Sequence, residues 1–144
     1  MILVDVNLLL YAYNTSAEHH KKASRWLEDV LSGHEPMALA WTVILAFLRL
    51  TSNRRIFPHP LSRAEAARVI AGWLDRSQAV IVNPGENHWE ILQRTMSEGK
   101  ASGPLIADAH LAALAIEHGA TLYTTDRDFA RFPKLKFQNP LDER

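Results

Sequence analysis

Met1-Ile2-Leu3-Val4-Asp5-Val6-Asn7-Leu8-Leu9-Leu10-Tyr11 is the stretch whose reading decides the fold. Ile2, Leu3 and Val4 form a continuous apolar run with β-branched residues, the pattern of a short strand covered on both faces. Asp5 breaks the run. Asn7 can cap a following helix through its side-chain oxygen, and Leu8, Leu9, Leu10, Tyr11 and Tyr13 continue that helix. Asp5 therefore stands where a buried strand hands over to a helix N-terminus, which favours an anion. On this stretch alone Asp5 is equally well read as a helix cap or as a site residue.

Strand and helix patterns alternate along the rest of the chain. Thr15-Ser16-Ala17-Glu18 has the form of a capping box, and a helix follows to about Leu31, with Ala23, Trp26, Leu27, Val30 and Leu31 on one face. His19, His20, Lys21 and Lys22 fall on its solvated side. Pro36 to Trp41 reads as a short extended or turn segment. Thr42 caps a nearly all-apolar helix from Val43 to about Ser52, whose one charge is Arg49. Asn53-Arg54-Arg55-Ile56-Phe57 is a compact basic loop, either a solvated turn or a phosphate-contacting patch. Ser62-Arg63-Ala64-Glu65 is a second capping box, Ala79-Val80-Ile81-Val82 a short strand, and Asn87 the cap of a further helix. Ser97 to Ser102 reads as a polar, mobile segment. Gly103-Pro104 opens an Ala- and Leu-rich helix that ends at Gly119 and carries Asp108 near its start. Thr121 to Thr125 is a strand ending at Asp126-Arg127-Asp128, and Lys136 to Gln138 a last, edge strand. Such alternation predicts a single α/β domain over residues 1–144 with a mainly parallel sheet.

Composition narrows the chemistry. The 144 residues are 47% hydrophobic, enough for one sizeable core. There is no cysteine, which excludes a disulfide scaffold, a thiolate metal site and a cysteine nucleophile. Sixteen basic residues balance sixteen acidic ones, so nucleic-acid binding would need local patches and not a bulk field. The apolar start lacks the basic flank and cleavage site of a signal peptide, and no run approaches the roughly 18 apolar residues of a membrane span. The expectation is a soluble, cytoplasmic protein.

Three acids share one address. Asp5 and Asp126 follow the C-terminal ends of two predicted strands, and Asp108 lies near the start of a buried helix. Sites in open parallel sheets form outside the carboxyl ends of the strands. Asp128 can reach the same rim. Two carboxylates about 5 Å apart repel by roughly 3 kcal/mol at an effective dielectric of about 20. Three such pairs would strain a fold worth only about 5–15 kcal/mol in total. Either some are protonated or a cation sits among them. An all-oxygen set suits Mg²⁺ or Mn²⁺, whose chemistry includes phosphodiester hydrolysis. Competing α/β functions lack their motifs: no G-x-G-x-x-G follows the first strand, no G-x-x-x-x-G-K-[ST] occurs, and a phospho-accepting signalling domain would want paired acids after the first strand and a late Lys.

The pattern resembles the PIN-domain family, specifically the VapC-type toxins of bacterial toxin–antitoxin pairs. The resemblance is carried by Ile2-Leu3-Val4-Asp5-Val6-Asn7, by Trp41 to Arg49, by Ile106-Ala107-Asp108-Ala109-His110-Leu111-Ala112-Ala113-Leu114-Ala115 and by Thr124-Thr125-Asp126-Arg127-Asp128-Phe129. It implies a PIN-like three-layer sandwich, with four to five central strands flanked by helices. It also implies a Mg²⁺- or Mn²⁺-dependent endoribonuclease acting on tRNA or ribosomal RNA, a homodimer, and inhibition by a cognate antitoxin. By resemblance, Asp5, Asp108 and Asp126 are catalytic metal-binding acids, and Asp128 is a more variable acid acting through water. Asn7 and Thr125 orient acids or substrate, and Arg49 is a basic residue beside the site. One position departs: Ala46 stands where the family commonly has a metal-binding Glu. It marks either a subgroup with fewer ligands or an inactivated site, the latter leaving a PIN-like module that binds RNA or peptide without turnover. Trp26, Trp41, Trp73 and Trp89 are interface candidates wherever they face outward.

Overall fold

A computed structural model describes residues 1–142. Five parallel strands form one sheet in the order β3-β2-β1-β4-β5. They are β1 (Ile2–Val4), β2 (Met37–Ala40), β3 (Ala79–Val82), β4 (Thr121–Tyr123) and β5 (Phe137–Gln138). β1 is central and pairs Ile2 with both Met37 and Thr121. All three of its residues are buried, as expected for a strand covered on both faces. The helices are α1 (Val6–Tyr13), α2 (His20–Ser32), α3 (Trp41–Thr51), α4 (Arg63–Leu74), α5 (His88–Gly99) and α6 (Leu105–His118), with a short 3-10 helix at Arg127–Arg131. They pack as two sets: α1 joins α2 and α3, α3 joins α4, and α5 joins α6. No helix among the described residues is long and apolar enough to cross a membrane.

The strand order reverses beside β1. Strands β2 and β3 extend to one side of it, and β4 and β5 to the other. The crevice above β1 and β4 is therefore the topological switch point, where ligands of open α/β sheets bind. Below the rim the core is aromatic as well as aliphatic. Tyr13, Phe47 and Trp73 meet pairwise at centroid distances of 4.8–5.8 Å, and Trp73 Nε1 donates to the Tyr13 hydroxyl at 2.9 Å. That contact satisfies the indole N–H within a 1% exposed side chain.

Several local expectations are corrected. Of the two readings of Pro36 to Trp41 the extended one holds and the turn does not: residues 37–40 are a fully buried strand paired on both sides. Met-Ala-Leu-Ala has little intrinsic strand preference, so pairing and burial override propensity. The Thr15–Glu18 capping box does not form. Asn14 Oδ1 instead accepts from Ser16 N at 3.1 Å, and α2 begins only at His20 with no side-chain cap. Nor does Thr42 cap α3, because β2 runs straight into that helix with Ala40 as the cap residue. Ser97 to Gly99 remain helical, and the chain leaves α5 through Lys100 in the left-handed conformation (φ 50°). By contrast, the Ser62–Glu65 capping box forms in both directions, and Gly119 ends α6 at φ 64° as a left-handed stop.

Candidate active site

Asp5 caps α1 itself, displacing Asn7 from that role. Its Oδ1 accepts from Val6 N at 2.8 Å and its Oδ2 from the Thr124 hydroxyl at 2.7 Å. The cap reading of Asp5 therefore holds, and the same carboxylate stands at the C-terminal end of β1, beside the switch-point crevice. Thr124 Oγ1 also accepts from Asp126 N at 3.0 Å. One buried hydroxyl thus ties the end of β1 to the turn after β4. Asp126 in turn caps the 3-10 helix, its Oδ1 accepting from Asp128 N at 2.8 Å.

Electrostatics bring the acids together. Burial raises the Asp5 carboxyl above its usual range, the bonds from Thr124 and Val6 oppose this, and the Asp126 charge adds to it. Asp108, at the fourth position of α6, is raised to about 6, first by burial and then by repulsion from Asp126, Asp5 and Asp128. The four acids named from the sequence are therefore neighbours. Among the described residues, no three His, Asp or Glu side chains stand close enough, as placed, to hold one metal ion between them. Asp5 and Asp126 are turned toward the backbone N–H groups they cap. The donor set is nevertheless all oxygen, which fits Mg²⁺ or Mn²⁺ by type, and its mutual repulsion is the charge pattern a divalent cation relieves.

Other residues of the expected site lie elsewhere or act differently. The hydroxyl that holds Asp5 is that of Thr124. Thr125 is half-buried and lines a polar hollow beside the acids. Asn7 is half-buried in the first turn of α1, and its side chain makes no hydrogen bond among the described residues. Arg49 is exposed in the last turn of α3, about 12 Å along the helix axis from the β2 junction. The cation that acts on Asp108 is instead Arg131. Its guanidinium donates to Gly99 O at 3.0 Å, while its Nε is buried without a partner among the described residues. Ala46 is half-buried on α3, and Glu90 is exposed on α5. Trp73 is core and Trp26 stacks on Tyr123 at 5.8 Å, whereas Trp41 and Trp89 are 50% and 63% exposed. His19 is exposed, as expected of the solvated side, and His20 is half-buried. His19 packs edge-on against Tyr11, and His20 Nδ1 lies 3.0 Å from Tyr11 O.

The comparisons with known proteins agree with this fold. The family model described as PIN domain matches residues 2–135. The chain is 45% identical over 140 residues to Ribonuclease VapC37 of Mycobacterium tuberculosis, covering 97% of each sequence. It is 39% identical over 142 residues to Ribonuclease VapC43 of the same species, covering 99% of this chain and 97% of that one. Among solved structures, VapBC2 from Rickettsia felis bound to a promoter DNA fragment superposes with a TM-score of 0.70 at 20% identity, covering 96% and 98% of the two chains. VapC20 of Mycobacterium tuberculosis, described as a sarcin-ricin loop cleaving toxin, gives 0.66 at 18% identity, covering 90% and 93%. At those identities the structural matches speak for the fold, and the sequence matches for kinship: the chain belongs to the PIN-domain family, among its VapC ribonucleases.

Proposed function

We propose that this protein is a metal-dependent endoribonuclease toxin that cleaves RNA phosphodiester bonds and is neutralised by a cognate antitoxin. One observation carries the reading: Asp5, Asp108 and Asp126, with Asp128 beside them, meet at the switch point of a PIN-family sheet. Relatives at 34–45% identity are named ribonucleases, which supports RNA as substrate. Several solved neighbours are VapBC complexes, and the exposed Trp41 and Trp89 suit a partner surface. A homodimer, a cytoplasmic location and a tRNA or ribosomal RNA target complete the reading.

Asp5, Asp108 and Asp126 would hold Mg²⁺ or Mn²⁺, with Asp128 acting through water. When bound, the ion supplies Lewis acidity toward a phosphate oxygen and lowers the pKa of a water. The chain does the positioning. Thr124 fixes Asp5 and the Asp126 turn together, so two acids 121 positions apart in sequence share one hydroxyl. Asp108, raised to about 6, exchanges its proton near neutral pH. In the metal-free protein that proton offsets the repulsion a cation would otherwise relieve. Ala46 removes one family ligand, so the Asp set carries metal affinity without it.

The test is cleavage of purified tRNA and ribosomal RNA in Mn²⁺ or Mg²⁺. Loss of cleavage in EDTA and in Asp5→Asn is expected. Cleavage unchanged by both would overturn the reading.

A further inference from the structure

A hollow of about 480 Å³ opens beside the carboxylates, with Thr125 and Arg127, the two neighbours of Asp126, in its wall. A narrower hollow of about 120 Å³, lined by Thr124, Asp126 and Asn139 among others, shares Thr125, Arg127 and Asn139 with the larger one. The acid rim therefore leads directly into it. The volume falls within the roughly 300–1,000 Å³ range of small-ligand sites.

The lining carries the chemistry of a nucleotide. Lys22 from α2 and Arg127 from the start of the 3-10 helix are cations. Tyr11 and His19 present an edge-to-face aromatic pair, with centroids 5.5 Å apart at 60°. Asn139 Oδ1 accepts from Leu141 N at 2.9 Å, and Asn139 Nδ2 donates to Asp142 Oδ1 at 3.2 Å. That leaves a second amide N–H and a carboxylate oxygen to meet a base edge. The location matters as much as the inventory. With zero net charge, the chain has no bulk field to draw RNA toward four acids. Arg127, next in sequence to Asp126, and Lys22 across the hollow supply that attraction locally.

We infer that this hollow is a nucleotide subsite, holding one nucleotide of the RNA strand beside the bond to be cleaved. Arg127 and Lys22 take its phosphate, and the Tyr11–His19 pair takes its base. The inference rests on the ribonuclease reading and deepens it. Arg127 lies next in sequence to Asp126, so a phosphate held there places the following phosphate toward the acids. Stacking on aromatic rings is sequence-tolerant, because every base has a π face.

The probe is a fluorescein-labelled single-stranded 12-mer RNA in EDTA, read by anisotropy across a salt series, with the full chain. Lys22→Gln combined with Arg127→Gln is expected to weaken binding by about 10-fold or more. It should also lower the slope of log K against log salt by about 0.7, the signature of one phosphate no longer neutralised. His19→Ala, an exposed position, is expected to weaken binding about 5-fold with the slope unchanged. Arg63→Gln combined with Arg68→Gln, exposed on α4, should leave binding within about 2-fold; these factors follow from the size of single-strand contacts. Thermal midpoints matching the parent's show that the variants are folded. Binding by the Lys22/Arg127 pair variant within 2-fold of the parent, or an equal loss in the Arg63/Arg68 pair, overturns the subsite while the parent still binds and cleaves RNA. A parent that binds no RNA overturns the subsite and the ribonuclease reading together.

Discussion

Two polar clusters flank α6, and they differ in kind. At its start, Asp108 faces Asp5, Asp126 and Asp128, all of one sign, and its carboxyl is pushed up to about 6. Toward its end, Glu117 Oε1 accepts from Gly85 N at 2.7 Å, and its Oε2 lies 3.1 Å from His88 Nδ1. His88 Nε2 in turn lies 3.0 Å from His110 Nδ1. Each group there meets a partner that suits it. Burial, and next the facing His88, hold His110 below the usual imidazole range, so the pair does not repel as two cations. The second cluster clips the β3–α5 turn to α6 and is satisfied within the chain. The first is not, and a site that the fold leaves electrostatically unsatisfied is where a ligand gains most.

That contrast predicts opposite phenotypes. The largest effect is expected from Asp108→Asn: cleavage falls by about 100-fold or more, as when a charge-stabilising group is removed from an active site, while thermal stability rises. Loss of both activity and stability would place Asp108 in the satisfied class. Next, Thr124→Val removes the hydroxyl shared by Asp5 and Asp126. Cleavage should drop about 10-fold and stability by about 1–3 kcal/mol, since a buried carboxylate loses a partner; Thr124→Ser should restore most of both.

At the clip the expected losses are structural. Glu117→Ala should cost about 1–2 kcal/mol in chemical denaturation, through the Gly85 and His88 contacts, with cleavage per folded molecule nearly unchanged. A 100-fold loss of cleavage there would erase the distinction between the clusters.

The smallest effect is on pH dependence in EDTA. A carboxyl raised in the folded state binds more protons native than unfolded, so stability falls as pH rises from the unfolded value near 3.8 through about 6. Asp5 shifts in the same direction. The metal-free protein should gain about 1 kcal/mol on going from about pH 7.5 to about pH 5, a figure discounted for the partial exposure of Asp108. Asp108→Asn should flatten this slope, and a slope of equal size in that variant would assign it to other groups.

The acids themselves were legible in the sequence, because strand ends and helix starts are local features and the switch-point rule converts them into an address. The bond from Thr124 was missed, although counting by twos from buried Leu122 reaches Thr124. Arg131 was missed because nothing local links it to Asp108, 23 positions earlier. The arrival of β2 was underestimated for a related reason. Its four residues become a strand through partners on both sides and not through their own preferences.

Met1 to Tyr11 determined by themselves a buried strand, an acid at its end and a helix after it, since apolar runs, a capping carboxylate and helical spacing act within a few residues. Only the tertiary structure decided that the Asp5 carboxylate caps α1 with one oxygen and accepts from Thr124 with the other. It alone decided that Thr124 joins it to Asp126 and that Arg131, not Arg49, supplies the nearby positive charge. The physical reason is range: capping and periodicity are settled within a turn of chain, whereas a hydrogen bond across 119 positions and repulsion among four carboxylates exist only once the sheet has brought its strand ends together.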